Sequence, residues 1–275
     1  MGIARSSDRS ASRSARPSGS SKSRRSVATG YYERSKQPLE ILAVIAPLVV
    51  IYEIGLVHAL KGAQGTLTNG AHEGLVRFFT NFGVDPARLN LPTLALPSIA
   101  LVVVLLVWQL LARKPWKIHF PTVGGMMIES VLFALPLLVI AQLISRAFVP
   151  VGPEELLQLT ELTTFGKVSM SIGAGLYEEL IFRMVALSLL HTLLVDLFRL
   201  PERFGVGIAI ALSALLFALY HPLRSETGGI DPRRFTFFVV AGLFFGTLYV
   251  TRGFGIVVGA HSLYDIATVV WLAND

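Results

Sequence analysis

The chain of 275 residues contains no cysteine. This absence excludes disulfide bonds, thiolate catalysis, cysteine-ligated zinc and lipid attachment to cysteine. Charged residues are also scarce, at 15% of the chain, against about 25% in an average soluble domain. Hydrophobic residues make up 53%. Together with long apolar runs, this composition predicts a polytopic membrane protein with one membrane domain.

Positive charge is concentrated in the N-terminal segment. Arg and Lys outnumber Asp and Glu by nine to two in residues 1–37, so the rest of the chain carries a net charge of −1. This Ser- and Arg-rich segment lacks the large apolar side chains that could offset ordering entropy, so we expect a disordered basic tail. We expect it to bind anionic lipid headgroups and no nucleic acid; a solvated tail that only fixes orientation is the alternative.

Seven apolar segments predict an all-α fold, a transmembrane helical bundle of about seven spans, within a range of six to eight. They cover residues 39–60, 94–112, 123–146, 167–191, 204–221, 235–250 and 255–272. Residues 70–82 predict an amphipathic helix with phenylalanines toward lipid and with His72, Glu73 and Arg77 toward water. Residues 153–163 predict an interfacial helix. The basic tail favours a cytoplasmic N-terminus, as in a multi-pass protein of the cytoplasmic (inner) membrane.

Two carboxylates and an arginine interrupt the fourth span. Insertion of each ionised group into hydrocarbon costs roughly 2.5–3.5 kcal/mol, so the presence of Glu178, Glu179 and Arg183 together indicates a specific role. Arg183 follows Glu179 by four residues, which predicts an ion pair. Consecutive helix residues point about 100° apart, so the two glutamates are predicted not to face one partner. Glu178 then projects into a cavity as a candidate general base, and the small residues 173–175 let another helix approach. A purely structural ion-pair network is the alternative.

Two later segments supply possible partners for Glu178. His221 ends the fifth span beside Pro222, which breaks the helix. His261 and Asp265 are four residues apart, so they share one helix face and can engage one ligand or oxyanion. An interfacial histidine and a pair that links two helices are the structural alternatives. Simple alternation puts His221 near the end of its span and Glu178 near mid-depth, so they meet only if helices are tilted or broken.

Three motifs lie in order on these predicted helices: Glu-Glu-x-x-x-Arg at 178–183, Phe-x-x-x-His at 217–221 and His-x-x-x-Asp at 261–265. Together they resemble the CPBP family of intramembrane proteases, which includes type II CAAX prenyl endopeptidases and bacteriocin-processing and immunity proteins. The resemblance begins near residue 165. It suggests a division into the tail (1–37), N-terminal membrane helices without a family motif (38–164) and a catalytic core (165–275).

The resemblance implies an intramembrane endopeptidase that hydrolyses a peptide bond of a membrane-associated protein or peptide, with CAAX-type substrates as one option. It implies that Glu178 and His221 activate water. It implies that His261 and Asp265 stabilise the oxyanion of the tetrahedral intermediate. Three further positions match supporting residues of the family: Glu179, Arg183 and Phe217.

The role of position 265 and the metal content stay open at this stage. An ionised aspartate only accepts hydrogen bonds, so Asp265 must be protonated, orient His261 or bind a metal. Glu178, His221, His261 and Asp265 are all donors that suit a divalent metal such as zinc. A contiguous His-Glu-x-x-His motif is absent, and a metal-free glutamate mechanism is slightly favoured.

A different class of function uses the same residues without catalysis. In a transporter or partner-binding membrane protein they would form a proton relay or an ion-pair lock. Substitution of Glu178 by aspartate separates the two classes, because a relay tolerates the shorter acid and water activation across a fixed gap does not.

Overall fold

The computed structural model describes residues 30–62, 70–84, 95–147, 163–225 and 229–271, and these residues are all-α. The helices are α1 (Pro38–Gly62), α2 (Gly70–Asn81), α3 (Leu96–Ala112), α4 (Phe120–Ala147), α5 (Thr164–Leu197), α6 (Glu202–Tyr220), α7 (Pro232–Arg252) and α8 (Phe254–Ile266). Helix α5 changes from α-helix to π-helix at Leu180, and α8 continues as a π-helical turn to Trp271.

Among the helices of the described residues, five are long and apolar enough to cross a membrane: α1, α4, α5, α6 and α7. Helices α3 and α8 are shorter and also apolar. By helix length and composition, the chain is a multi-pass integral membrane protein. The predicted spans correspond to these seven helices, and the largest difference is at α5, which runs to Leu197 instead of residue 191. Residues 1–29 of the predicted tail and nearly all of the predicted helix at 153–163 lie outside the described residues.

Helix α8 lies at the centre of the bundle. Every residue from Phe254 to Ser262 is buried, although most other helices expose one face. It packs mainly against α4 and α5, while α5 also packs on α1 and α6 packs on α7. Gly253 joins α7 to α8 with φ of 92°, a left-handed conformation that favours glycine. The tight connection holds α8 against α7. Because α8 is buried, a polar residue on this helix lies in the interior of the bundle.

The C-terminal end of α7 is bound to two other parts of the bundle. Arg252 makes a bidentate ion pair with Glu129 of α4, with both N–O distances at 2.8 Å. Residues 30–35 are helical, and the Tyr32 hydroxyl donates to the carbonyl oxygen of Thr251 at 2.6 Å. Helix α7 is roughly 30 Å long at 1.5 Å per residue, so the α6–α7 connection lies at the opposite end of the bundle.

Helix α2 is amphipathic as predicted, but the expected orientation of His72 is wrong. Phe78 and Phe82 are exposed, whereas His72 is fully buried. The His72 Nδ1 lies 3.0 Å from the Tyr52 hydroxyl, and its ring lies edge-on to that of Tyr177. The first turn of α2 docks on α1 and α5, and this docking turns the histidine inward.

Candidate active site

Four polar side chains from two helices and one helix end surround a single cavity. Glu178, His221, His261 and Asp265 line a space of about 70 Å³. The remaining wall is mostly apolar and aromatic: Leu137, Phe217, Phe237, Phe238, Ala241, Phe245 and Tyr264. A buried water needs roughly 10–15 Å³ of such space and a few polar partners. The cavity is therefore large enough for several waters beside the carboxylates.

Close packing of α5 on α8 brings the glutamates to the histidine of α8. A Cβ added at Gly175 would lie 2.8 Å from the backbone nitrogen of Ser262 and 3.0 Å from the carbonyl oxygen of Val258. Only glycine lets the backbones approach this closely, which confirms the expectation from the small residues 173–175. Glu178 and Glu179 follow Gly175 by about one turn, and His261 precedes Ser262. The glycine contact therefore places both carboxylates beside the imidazole.

The two glutamates contact the same imidazole, so the prediction that they cannot share a partner is wrong. Glu179 Oε1 lies 2.8 Å from Nδ1 of His261, and Glu178 Oε2 lies 3.9 Å from Nε2. The helical geometry is as expected, with the carboxylates on adjacent faces. The ring of His261 sits between those faces and presents a different nitrogen to each carboxylate.

The predicted ion pair between Glu179 and Arg183 is confirmed, and both side chains are fully buried. Arg183 Nε lies 3.2 Å from Glu179 Oε2. The guanidinium also lies 4.3 Å from the ring centre of Phe217 and donates to the carbonyl oxygen of Gly242 at 3.4 Å. A buried charge needs such partners, because an uncompensated one costs several kcal/mol. The arginine thereby ties α5 to α6 and α7 around the cavity.

His221 reaches Glu178 from just beyond the end of α6. Its backbone is extended (φ −79°, ψ 157°), and its Nδ1 lies 2.8 Å from the carbonyl oxygen of Phe217, one turn earlier. The ring therefore folds back into the bundle, which removes the predicted mismatch in depth. A carbonyl only accepts, so Nδ1 carries the proton that is donated to it. The other nitrogen, Nε2, faces Glu178 Oε2 at 3.5 Å.

Asp265 and two aromatic rings complete the surroundings of the histidines. His261 Nε2 lies 3.5 Å from Asp265 Oδ2, the i,i+4 contact that the spacing predicts. His261 stacks on Phe245 with ring centres 4.5 Å apart, and His221 stacks on Phe238 at 3.9 Å. Stacking and hydrogen bonding together restrict how each ring can rotate.

Glu178, His221, His261 and Asp265 are of the residue types that can bind a divalent metal ion. Within the described ranges, no group of three or more His, Asp or Glu side chains is arranged to hold one. Each of these four side chains lies within 4 Å of another of the four, as in a hydrogen-bonding and proton-transfer site.

Some residues around the site lie outside the three sequence motifs and were not predicted. Ser213 donates to the carbonyl oxygen of Phe182 at 2.6 Å, within the π-helical part of α5. Ser213, Phe217 and His221 recur every four residues, so they lie along one face of α6, and this spacing is the signal that identifies the serine. The stacked Phe238 and Phe245 carry no such signal, because apolar residues fill most of α7.

The chain is thus a multi-pass helical membrane protein in which Glu178, His221, His261 and Asp265 line one cavity. The family model described as "Type II CAAX prenyl endopeptidase Rce1-like" matches residues 160–267, about two fifths of the chain. The chain therefore carries a domain of this CPBP-type family, and all seven candidate residues lie within it. At the family level, this match supports an intramembrane protease. No curated protein and no solved structure matches the chain.

Proposed function

We propose that the chain is an intramembrane endopeptidase in which Glu178 is the general base. The observation that carries this proposal is the convergence of Glu178, His221, His261 and Asp265 on one cavity. Hydrolysis of an amide needs a base for water, a donor for the oxyanion and a proton for the leaving amine. The cluster contains a side chain suited to each task, within 4 Å of the next.

Glu178 and His221 are the groups that activate water. The proton on Nδ1 of His221 is donated to a backbone carbonyl, so Nε2 of the neutral ring is an acceptor that faces the carboxylate. A water between them donates one hydrogen to each acceptor and turns a lone pair toward the substrate carbonyl. The water oxygen bonds to the carbonyl carbon as its proton passes to Glu178.

His261 is the donor to the oxyanion. Carboxylate oxygens lie near both of its nitrogens, a setting that favours a ring with a proton on each. The Nε2 proton can then bond the oxyanion while the Nδ1 proton is donated to Glu179. An ionised Asp265 cannot donate, so its 3.5 Å contact supports the role of orienting His261. The intermediate collapses when Glu178 returns its proton to the amine nitrogen and the carbon–nitrogen bond breaks. This step yields an amine and a carboxylic acid, which then loses its remaining proton to solvent.

The substrate is a peptide or protein held at the membrane, and the CAAX type is the class proposed first. The description of the matched family names CAAX prenyl endopeptidases. The aromatic and aliphatic wall of the cavity also suits apolar side chains beside the scissile bond.

Cleavage of a defined peptide tests the proposal. The full-length protein in lipid vesicles is mixed with a farnesylated CAAX-type peptide, and with the same peptide lacking the farnesyl group, and products are identified by mass spectrometry. We expect cleavage of the farnesylated peptide by the wild type and by Glu202→Ala, a matched change at an exposed glutamate. Glu178→Ala should be inactive. Full activity of a correctly inserted Glu178→Ala protein would overturn the assignment, and equal cleavage of both peptides would restrict it to proteolysis without prenyl recognition.

A further inference from the structure

A chain of two hydrogen bonds, one buried and one partly buried, runs from the N-terminal helices to the residue before Glu178. Ser98 of α3 donates to a carboxylate oxygen of Glu53 on α1, and its oxygen also bonds the Tyr177 hydroxyl on α5. Ser98 has one hydroxyl hydrogen, so Tyr177 is the donor in the second bond. Glu53 and Ser98 lie outside the range that the family model matches.

The ring of Tyr177 is held by two further residues. The ring centres of Tyr52 on α1 and His72 on α2 lie 5.2 Å and 5.1 Å from the ring centre of Tyr177, and both rings are edge-on to it. Tyr52 and His72 are also hydrogen-bonded to each other. Tyr177 itself is fully buried. Helices α1, α2 and α3 thus all contact one side chain of the helix that carries the proposed base.

The same helices also fix how α5 can rotate. A Cβ at Gly173, one turn before Tyr177, would lie 2.8 Å from Cδ2 of the Tyr52 ring, so α1 and α5 are in close contact there. Close packing at a small residue sets how near two helices approach, and a directional hydrogen bond restrains rotation in addition. The hydrogen bond of Tyr177 to Ser98 and the close contact at Gly173 both restrain rotation of α5.

We propose that Glu53 and Ser98 are positioning residues that act through Tyr177 to hold the Glu178 carboxylate toward His221. The inference rests on the proposed function, since it concerns the geometry of that base. Glu178 immediately follows Tyr177, so any rotation or sliding of α5 that moves Tyr177 also moves Glu178. A displacement of about 1 Å at a reacting group can cost about 100-fold in rate. Neither Glu53 nor Ser98 lines the cavity, so substrate binding should change little.

Steady-state kinetics with an internally quenched, farnesylated CAAX-type peptide test this role in the full-length protein. We expect Ser98→Ala and Tyr177→Phe each to lower kcat roughly 10- to 100-fold with KM within about threefold. The double variant should be no slower than the slower single variant, because both changes break one bond. Glu53→Gln keeps an acceptor for Ser98 and should remain within about threefold of wild type. Glu53→Leu removes the acceptor that orients the Ser98 hydroxyl and should lower kcat more than Glu53→Gln does. The control is Ser171→Ala, with no expected loss of activity, because this buried serine of α5 donates to the carbonyl oxygen of Lys167 in its own helix.

A second measurement separates this inference from the assignment of the protease. Backbone amide exchange of residues 173–180 is compared by mass spectrometry in Ser98→Ala and Ser171→Ala, and we expect faster exchange only in the first. Unchanged kcat in Ser98→Ala and Tyr177→Phe, with Glu178→Ala inactive, would overturn the positioning role and leave the protease intact. If the wild type cleaves no peptide, the protease assignment fails, and equal exchange in the two serine variants then overturns the positioning role as well.

Discussion

Replacement of Glu178 by aspartate distinguishes water activation from a proton relay. The change keeps the carboxylic acid but withdraws it by about one carbon–carbon bond, roughly 1.5 Å. The contact between Glu178 Oε2 and His221 Nε2 would lengthen from 3.5 Å to roughly 5 Å. The shorter acid would hold the base about 1.5 Å from its present position, and a displacement of about 1 Å at a reacting group can cost about 100-fold in rate. A general base contributes about 10²- to 10⁴-fold, so we expect kcat to fall by at least about 100-fold.

Initial rates of peptide cleavage in lipid vesicles measure this effect. Glu178→Gln is the companion variant, since it preserves size and removes the base, and it should be at least as slow as Glu178→Asp. Thermal melting within a few degrees of wild type shows that both variants are folded. A Glu178→Asp protein with kcat within about threefold of wild type would refute the reasoning, because that tolerance is the behaviour expected of a relay.

Three further predictions concern stability. Gly242→Ala should lower the free energy of unfolding by about 1–3 kcal/mol, because the new Cβ would lie 2.8 Å from the Cα of Ala214. Gly207→Ala is the control, because a Cβ at Gly207 meets open space and should not destabilise the protein. Thermal melting compares the two variants. Arg183→Met should lower the free energy of unfolding by about 3–5 kcal/mol, because Glu179 would stay buried without its ion-pair partner. A melting temperature equal to that of the wild type would contradict this prediction. Burial lowers the pKa of His72 from 6.5 to about 4, so the unfolded state binds more protons between these values. Stability should therefore fall as pH drops from 6.5 toward 4, and His72→Gln should flatten this dependence in melts at several pH values.

Much of the site was predictable because its residues lie at helical spacings. Arg183 follows Glu179 by four residues, and Asp265 follows His261 by four, and both contacts are present. Such pairs depend only on the pitch of a single helix. The apolar segments were likewise predictable, because the length that crosses a membrane is set by the thickness of hydrocarbon.

The errors arose where two helices meet. The angle of about 100° between consecutive helix residues predicted that Glu178 and Glu179 face different partners. Both contact His261, because α8 places this imidazole between the two carboxylates. His72 looked like a water-facing residue on an amphipathic helix, yet it is buried against Tyr52. An angle within a helix is local, but its meaning depends on which neighbour occupies each face.

By itself the sequence determined that this is a helical membrane protein with polar motifs on three separate helices, because hydropathy and helical periodicity are local properties. Only the tertiary structure decided that Glu178, His221, His261 and Asp265 share one cavity. That outcome depends on the rotation and depth of each helix, which are set by close contacts such as that at Gly175 and by a histidine that folds back past a helix end. Those contacts join residues far apart in the chain, so no window of sequence contains them.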